Sequence, residues 1–186
     1  MNLIDSNDIL KASKLNRFGG NLGGSLVAKL VMYIMRLNKI NKLYSDVYSD
    51  NPEAFLDRLI EALGVTIEVN EEDLQKIPKE GAFITISNHP FGGLDGIILI
   101  KLLSKIRPDY KVMANFLKKI VPIKDYFLGV NPFEGLKDIS SAGGLKEALR
   151  HLSEGGALGL FPAGEVSAYQ ADSNSIEDKA WSRSVL

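Results

Sequence analysis

From residue 65 onward, short apolar segments alternate with longer segments whose apolar residues recur at helical spacing. This alternation strongly restricts the fold, because strand–helix–strand units place their strands parallel in one sheet. Parallel strands are buried on both faces, which agrees with the continuous apolar character of these segments. We therefore predict an α/β fold with a mainly parallel sheet flanked by helices. The predicted strands are TIEV (66–69), AFITIS (82–87), YKVMAN (110–115), YFLGV (126–130) and ALGLFP (157–162), the last of them the final strand.

The helices between these strands are predicted from the spacing of apolar residues. DGIILIKLLSKI at 95–106 is predicted to be a helix capped by Asp95. NFLKKIVPI at 115–123 is predicted to be a short helical stretch, and SAGGLKEALRHLSEGG at 141–156 a longer helix. Each of these helices would return the chain to the start of the next parallel strand.

Residues 1–64 carry a helical pattern without intervening strands. Within residues 22–43, apolar positions follow three- and four-residue steps and basic residues line the edge, which predicts an amphipathic helix. A second helix is predicted over 52–63, with Asn51 as its N-cap and Gly64 as its stop signal.

These patterns divide the chain into an N-terminal helical segment at 1–64 and an α/β domain at 65–186. The final residues, AWSRSVL, begin like the apolar side of a helix but lack a stop signal. We therefore expect the α/β domain to be truncated at its C-terminal end.

The composition narrows the classes of function. A net charge of −1 argues against a nucleic-acid-binding domain, which is normally strongly basic. The absence of cysteine excludes disulfides, thiolate catalysis and cysteine-ligated metals. The first residues lack the layout of a signal peptide, and no apolar run approaches the ~20 residues of a membrane-spanning helix.

Three polar or glycine-containing segments follow predicted strands: SNHPFGGLD, NPFEG and FPAGEVS. Open α/β sheets place their sites outside the carboxyl ends of the strands. If the strands are parallel, all three segments lie at the same edge of the sheet. We therefore predict a functional site there.

His89 and Asp95 are the residues of this edge best suited to acid–base chemistry. A neutral imidazole can accept a proton from a hydroxyl, and a carboxylate can fix its tautomer and stabilise the imidazolium. Gly92 and Gly93 would allow the intervening loop to curl back. The spacing is equally compatible with Asp95 as a helix N-cap alone and His89 as an ordinary loop residue.

Three sequence blocks resemble the glycerolipid acyltransferases, the lysophosphatidate-acyltransferase-like superfamily. Asn88-His89 followed by Asp95 resembles the family's histidine–aspartate signature. FLGVNP at 127–132 falls where the family has its acceptor-binding turn, and FPAGEVS at 161–167 resembles its Phe-Pro-Glu-Gly-Thr-Arg-Ser block. The blocks lie within residues 83–170, roughly half the chain. NHPFGGLDG and VNPF are closer still to the hemolysin-like bacterial branch, part of which is linked to aminolipid synthesis.

The resemblance implies an O-acyltransferase that moves a fatty acyl group from acyl-CoA or acyl-carrier protein to the hydroxyl of a lysolipid acceptor. His89 would be the general base, and Asp95 would assist it. It implies neither a metal nor a cofactor beyond the acyl donor as co-substrate. The implied substrate-binding residues are Asn88, Gly92, Gly93, Asn131, Pro132, Phe161, Pro162, Gly164 and Glu165.

This chain departs from the family pattern in two places. Five residues separate His89 from Asp95 where the family usually has four. The third block has Ala163 in place of glutamate and Val166 in place of the arginine associated with the acceptor's phosphate. The missing cation argues against glycerol-3-phosphate or lysophosphatidate as acceptor. Glu165 would supply a displaced carboxylate or contact an amine-bearing acceptor.

A lipid acceptor gives the amphipathic segment at 22–43 a second role, contact with a membrane surface. Packing on its own domain is the competing explanation. We expect a cytoplasmic protein, peripheral on the inner face of the cytoplasmic membrane. The alternatives to acyl transfer are an acyl thioesterase or other hydrolase, a nucleotide-binding module and a non-catalytic lipid-binding homologue. The serine-hydrolase and nucleotide-binding motifs G-x-S-x-G, G-x-G-x-x-G and the P-loop are absent.

Overall fold

The computed structural model describes residues 2–13, 20–114, 117–129 and 139–181. The chain divides into two compact units, one up to Val65 and one from Thr66 onward. The first unit is helical. It contains α1 (Ser6–Ser13), α2 (Gly20–Ile34), α3 (Leu37–Val47) and α4 (Pro52–Ala62).

The prediction of one helix over 22–43 is wrong, because the chain turns between α2 and α3. Arg36 adopts the left-handed conformation, with φ 54° and ψ 30°. The turn changes the direction of the apolar stripe. Leu37 and Tyr44 of α3 are therefore buried, whereas Tyr33 at the end of α2 is 75% exposed.

Helix α4 confirms the signals at both of its ends. The side chain of Asn51 accepts a hydrogen bond from the backbone N–H of Ala54 at 2.9 Å, and Pro52 occupies the first turn. Gly64 follows with φ +65°, the left-handed conformation that ends a helix. The helix buries Phe55, whose ring meets that of Tyr44 edge-on at 6.0 Å between centroids.

The second unit confirms the predicted α/β fold. Four strands form one parallel sheet in the order β1-β4-β2-β3. The strands are β1 (Phe83–Ile86), β2 (Lys111–Ala114), β3 (Phe127–Gly129) and β4 (Ala157–Leu160). The helices are α5 (Glu71–Gln75), α6 (Gly93–Leu103) and α7 (Ile139–Ser153), and two 3₁₀ segments span Leu117–Lys119 and Val121–Tyr126.

Helices α6 and α7 lie on opposite faces of this sheet. A Cβ added to Gly96 of α6 would lie 3.7 Å from Val112 and 3.8 Å from Phe127. On α7, Ala148 packs with Leu128 and Leu158. Val112 pairs with Phe127, so the next residue along β3, Leu128, points to the other face.

Three predictions for the strands need correction. TIEV forms no strand. The prediction that the AFITIS strand is buried on both faces is also wrong, because Ile84 and Ile86 of β1 are 48% and 47% exposed. β1 pairs with β4 and with no second strand among the described residues, so it lies at the edge of the sheet. β4 is not the last strand, since an antiparallel hairpin follows, formed by β5 (Ala168–Gln170) and β6 (Ser175–Glu177).

Tyr110 and Thr85 form a hydroxyl pair on the α6 face of the sheet, with 2.6 Å between their oxygens. Burial raises the pKa of Tyr110 to about 12. The buried, neutral hydroxyl therefore contributes to the free energy of unfolding. This contribution is complete below pH 10 and is lost as the pH rises through about 12.

We expect Tyr110→Phe to remove this pH dependence. Between pH 9 and 11, the free energy of unfolding of the unsubstituted chain should fall by about 1 kcal/mol more than that of the variant. Urea denaturation at the two pH values measures the difference. The exposed Tyr169, replaced by phenylalanine, is the control. Equal pH dependence in Tyr110→Phe and the unsubstituted chain would contradict the assignment.

Candidate active site

The segments that follow β1 and β4 lie side by side, because these two strands are parallel neighbours. The backbone N–H of Ser87 donates to Leu160 O at 3.1 Å, which extends the ladder by one residue. Farther out, Ser167 N–H donates to His89 O at 2.9 Å. SNHPFGGLD and FPAGEVS are therefore held together at one edge of the sheet. Asn131 and Pro132 of the NPFEG segment lie outside the described residues.

The loop after β1 brings the side chains of His89 and Asp95 together. His89 Nδ1 lies 3.0 Å from Asp95 Oδ2, and the two side chains are 18% and 12% exposed. The distance is within hydrogen-bonding range, but the ring N–H is not aligned with the oxygen. Nδ1 has no well-aligned partner among the described residues. Catalytic hydrogen bonds are often poorly aligned before substrate binds. Asp95 favours the tautomer with the proton on Nδ1, which leaves Nε2 as the proton acceptor.

Gly92 makes the turn that returns Asp95 to His89. Its φ of 63° and ψ of −131° are readily reached only by glycine. Helix α6 begins at Gly93, so the prediction that Asp95 caps it is wrong; Gly92 is the N-cap and provides no side-chain bond. Asp95 lies in the first turn, where the helix dipole favours a carboxylate, and Oδ2 accepts the Phe91 N–H at 2.9 Å. The loop thus accommodates its five-residue spacing.

Phe161 fixes one face of the imidazole. Its ring lies nearly parallel to that of His89, with 4.2 Å between centroids and 27° between planes. Phe161 directly follows β4, so the strand end positions it. The imidazole is thus held between Phe161 on its face and Asp95 at Nδ1.

A cavity of about 570 Å³ opens beside His89. Its walls come from the α7 face of the sheet, from α7 and from the first turns of α6, and they are mainly apolar. In the part of the chain that the structure describes, His89 is the one ionisable side chain of the lining. The lining residues are Ile84, His89, Gly92, Gly93, Gly96, Met113, Ala114, Leu117, Leu145, Ala148, Leu149, Leu152, Leu158, Leu160, Phe161 and Gly164.

The other residues named from the sequence divide into two groups. Gly92, Gly93, Phe161 and Gly164 line the cavity, whereas Asn88, Pro162 and Glu165 do not. Pro162 is buried and Asn88 is exposed. Glu165 forms a surface ion pair with Lys179 at 3.0 Å, with both side chains more than half exposed.

Asp178 is a residue near the site that sequence reasoning missed. Its Oδ1 accepts the backbone N–H of His89 at 3.2 Å and also the hydroxyl of Ser167. The Ser167 hydrogen bond is the main cause that holds the pKa of Asp178 below its usual range. Asp178 directly follows β6, so recognising its role from sequence would have required a prediction of the hairpin.

Comparison with known proteins identifies the family of this chain. Residues 10–185 match the family model described as acyltransferase. The chain belongs to this acyltransferase family. It resembles a lyso-glycine lipid O-acyltransferase of Phocaeicola vulgatus, with 24% identity over 99% of this chain and 63% of that protein. It also resembles a lyso-glycine lipid O-acyltransferase of Bacteroides thetaiotaomicron, with 31% identity over 55% of this chain and 36% of that protein.

The matches cover less than two thirds of the length of either relative. The 24% identity nevertheless extends across nearly all of this acyltransferase chain. The family match includes both the helical unit and the α/β unit described above. Membership of the family therefore does not rest on the histidine–aspartate segment alone.

Proposed function

We propose that this chain carries the acyl-transfer site of an O-acyltransferase that acylates the hydroxyl of a lysolipid. The observation that carries the proposal is the His89–Asp95 pair at the wall of an apolar cavity. The pair provides a base for the hydroxyl, and the cavity provides apolar surface for a fatty acyl chain. Relatives named lyso-glycine lipid O-acyltransferase support this reading.

The reaction follows from the position of the imidazole. Nε2 of His89 takes the proton of the acceptor hydroxyl as its oxygen attacks the thioester carbonyl carbon of the donor. The tetrahedral intermediate then collapses, the carbon–sulfur bond breaks, and the departing thiolate takes the proton from the imidazolium. Asp95 holds the ring and stabilises its charged form. The donor is acyl-CoA or acyl-carrier protein, and no covalent acyl-enzyme is required.

The amino end of α6 is suited to stabilise the oxyanion of this intermediate. The first N–H groups of a helix have no partner within the helix and attract negative charge. Gly92 and Gly93 line the cavity at this helix end. A Cβ added to Gly93 would lie 3.2 Å from Leu117, so there is little room for a side chain there. We assign the oxyanion to the backbone N–H groups of this turn.

An acceptor that carries an amino acid rather than a phosphate fits the site best. Among the described residues, the cavity lining contains neither lysine nor arginine, and Val166 stands where the resembling family has its arginine. The described lining therefore offers a phosphate no bidentate partner. The lyso-glycine lipid in the names of both relatives is an acceptor of the proposed kind.

The decisive experiment measures thiol release and acylated lipid together. Purified protein is incubated with acyl-CoA or acyl-carrier protein and with lyso-glycine lipid or lysophosphatidate, and products are identified by mass spectrometry. We expect acceptor-dependent thiol release and an acylated glycine lipid. Thiol release without a new lipid would indicate a thioesterase. Equal use of lysophosphatidate would overturn the proposed acceptor class.

We also propose that α2 and the turn after it rest on the inner, anionic face of the cytoplasmic membrane. Large apolar side chains are exposed here alongside cationic ones, as in helices that lie in a bilayer interface. Among the described helices, none combines the length and the apolar character that spanning a bilayer requires. The exposed apolar residues are Leu26, Leu30, Tyr33, Ile34 and Met35, and the exposed cations are Lys29, Arg36 and Lys39.

Vesicle sedimentation tests the membrane proposal. We expect binding to phosphatidylglycerol vesicles that falls several-fold in Lys29→Glu, since each basic residue near the surface contributes about 1 kcal/mol. Lys79→Glu makes the same charge change at an exposed position of the α/β unit, in a segment distant from α2 in the sequence, and should bind like the unsubstituted chain. Binding unaffected by Lys29→Glu would contradict the assignment.

A further inference from the structure

We propose that Asp178 is a positioning residue that fixes the backbone of His89 through the β5–β6 hairpin. The kinetic part of this inference rests on the proposed function, whereas its structural part can be tested without turnover. Asp178 lies 89 positions from His89 along the chain. The two segments are joined by hydrogen bonds that use both backbone polar groups of His89.

The contacts form a closed set of three residues. His89 N–H donates to Asp178 Oδ1 at 3.2 Å, and His89 O accepts the Ser167 N–H at 2.9 Å. The Ser167 hydroxyl donates to the same Asp178 Oδ1 and so closes the set. With the N–H and the C=O of His89 both restrained, the two peptide groups that flank this residue have little freedom to rotate. The direction of the imidazole is therefore fixed at its base as well as by Asp95 and Phe161.

Side chains other than Asp178 make the contacts within the turn of the hairpin. The turn is held by the hydroxyl of Tyr169 on Asn174 and by Ser173 and Ser175 on the carboxylate of Glu177. Asp178 is the next residue, and its carboxylate points away from these contacts to His89 and Ser167.

Trp181 fixes the other oxygen of this carboxylate. The indole Nε1–H donates to Asp178 Oδ2 at 3.1 Å. Oδ1 thus accepts hydrogen bonds from His89 and Ser167, whereas Oδ2 accepts one from Trp181. This division identifies Asp178 as the link between the hairpin and the candidate base.

The size of the expected effect follows from geometry. A displacement of a reacting group by about 1 Å can lower a rate by about 10²-fold. Removal of the Asp178 carboxylate would free the His89 N–H but leave Asp95, Phe161 and the cavity in place. We therefore expect an effect on the chemical step and little effect on donor binding.

The experiment compares four forms of the 186-residue chain. Asp178→Ala removes the acceptor, whereas Asp178→Asn keeps an oxygen that can accept from His89 N–H. Glu177→Gln is the matched control, because the contacts of its carboxylate among the described residues are with the hairpin serines. We expect kcat to fall about 10- to 100-fold in Asp178→Ala, with KM for the donor within about two-fold. Asp178→Asn should stay within about five-fold of the unsubstituted chain, and Glu177→Gln within about two-fold.

Histidine-labelled NMR gives a readout that does not depend on activity. The chain has two histidines, so the ring signals of His89 and His151 are assigned with one variant, and His151 is an internal reference. We expect Asp178→Ala to move the His89 ring signal and to accelerate exchange of the His89 amide. The His151 signal should stay unchanged.

Each outcome bears on one proposal. An unmoved His89 signal with unchanged kcat in Asp178→Ala would overturn the positioning role and leave the proposed function intact. A moved signal in a protein without transferase activity would support the positioning role and overturn the proposed function. Should Asp178→Ala fail to fold, Asp178→Asn decides: loss of kcat beyond about ten-fold in that variant would overturn the role assigned to the hydrogen bond.

Discussion

His89→Ala should lower kcat/KM for acyl transfer by about 10³-fold or more, the largest effect expected of any single substitution here. A positioned general base contributes about 10²- to 10⁴-fold, and no other ionisable side chain in the described cavity lining can replace it. The His89 side chain is 18% exposed, and its ring stacks on Phe161 at the end of β4. It does not belong to the buried cluster that Ala148 of α7 forms with Leu128 and Leu158. The substitution should therefore leave the fold intact.

The measurement is thiol release with a saturating acceptor, accompanied by circular dichroism and thermal denaturation. The other histidine is the matched control. His151 lies on α7 with Nε2 3.1 Å from the Ala157 carbonyl oxygen, so His151→Gln should retain activity within a few-fold. Full turnover in His89→Ala would overturn the assignment of the base.

Asp95→Asn should lower kcat by about 10²- to 10³-fold while KM changes little. The amide is nearly the same size but carries no charge, so it cannot stabilise the imidazolium formed as the hydroxyl loses its proton. The close contact between Nδ1 and Oδ2, 3.0 Å, is what makes the exchange so damaging.

Asp125→Asn is the control for this second substitution, because Asp125 is an exposed carboxylate outside the cavity lining. It should retain nearly full activity. The Asp95→Asn protein should melt within a few degrees of the unsubstituted chain, since one oxygen can still accept the Phe91 N–H. A large increase in KM with unchanged kcat would show instead that Asp95 binds substrate and does not assist His89.

The alternation of strands and helices could be predicted from the sequence because each parallel strand is a local apolar run. β2, β3 and β4 are such runs, and their neighbours cover them. The exposure of Ile84 and Ile86 could not be predicted, because it depends on the strand order and on which distant elements cover β1. The break between α2 and α3 at Arg36 could not be predicted either, because a residue without a turn signal adopts a left-handed conformation there.

In the candidate site, too, contacts between residues close in sequence could be predicted, whereas contacts between distant residues could not. His89 and Asp95 lie within one loop, so their spacing and the glycines between them could predict an encounter that the structure shows. The restraint by Asp178 joins positions 89 residues apart and depends on a hairpin that short, polar strands do not reveal. The cavity likewise needs α7 and the sheet face together, and no single segment encodes it.

The edge position of β1 sets the order in which the protein should lose its parts. An edge strand shares its backbone hydrogen bonds with one neighbour, and such elements open at lower free energy than the middle of a sheet. β3 lies at the other edge of the described sheet, but its Phe127 and Leu128 are buried, whereas Ile84 and Ile86 of β1 are about half exposed. The loop that bears the candidate base is attached to this strand. On warming, we expect the chain to lose catalytic competence through release of β1 while β2, β3 and β4 remain assembled. The temperature of half-inactivation should then lie below the melting temperature of the sheet, and His89 should report the first event on the unfolding pathway.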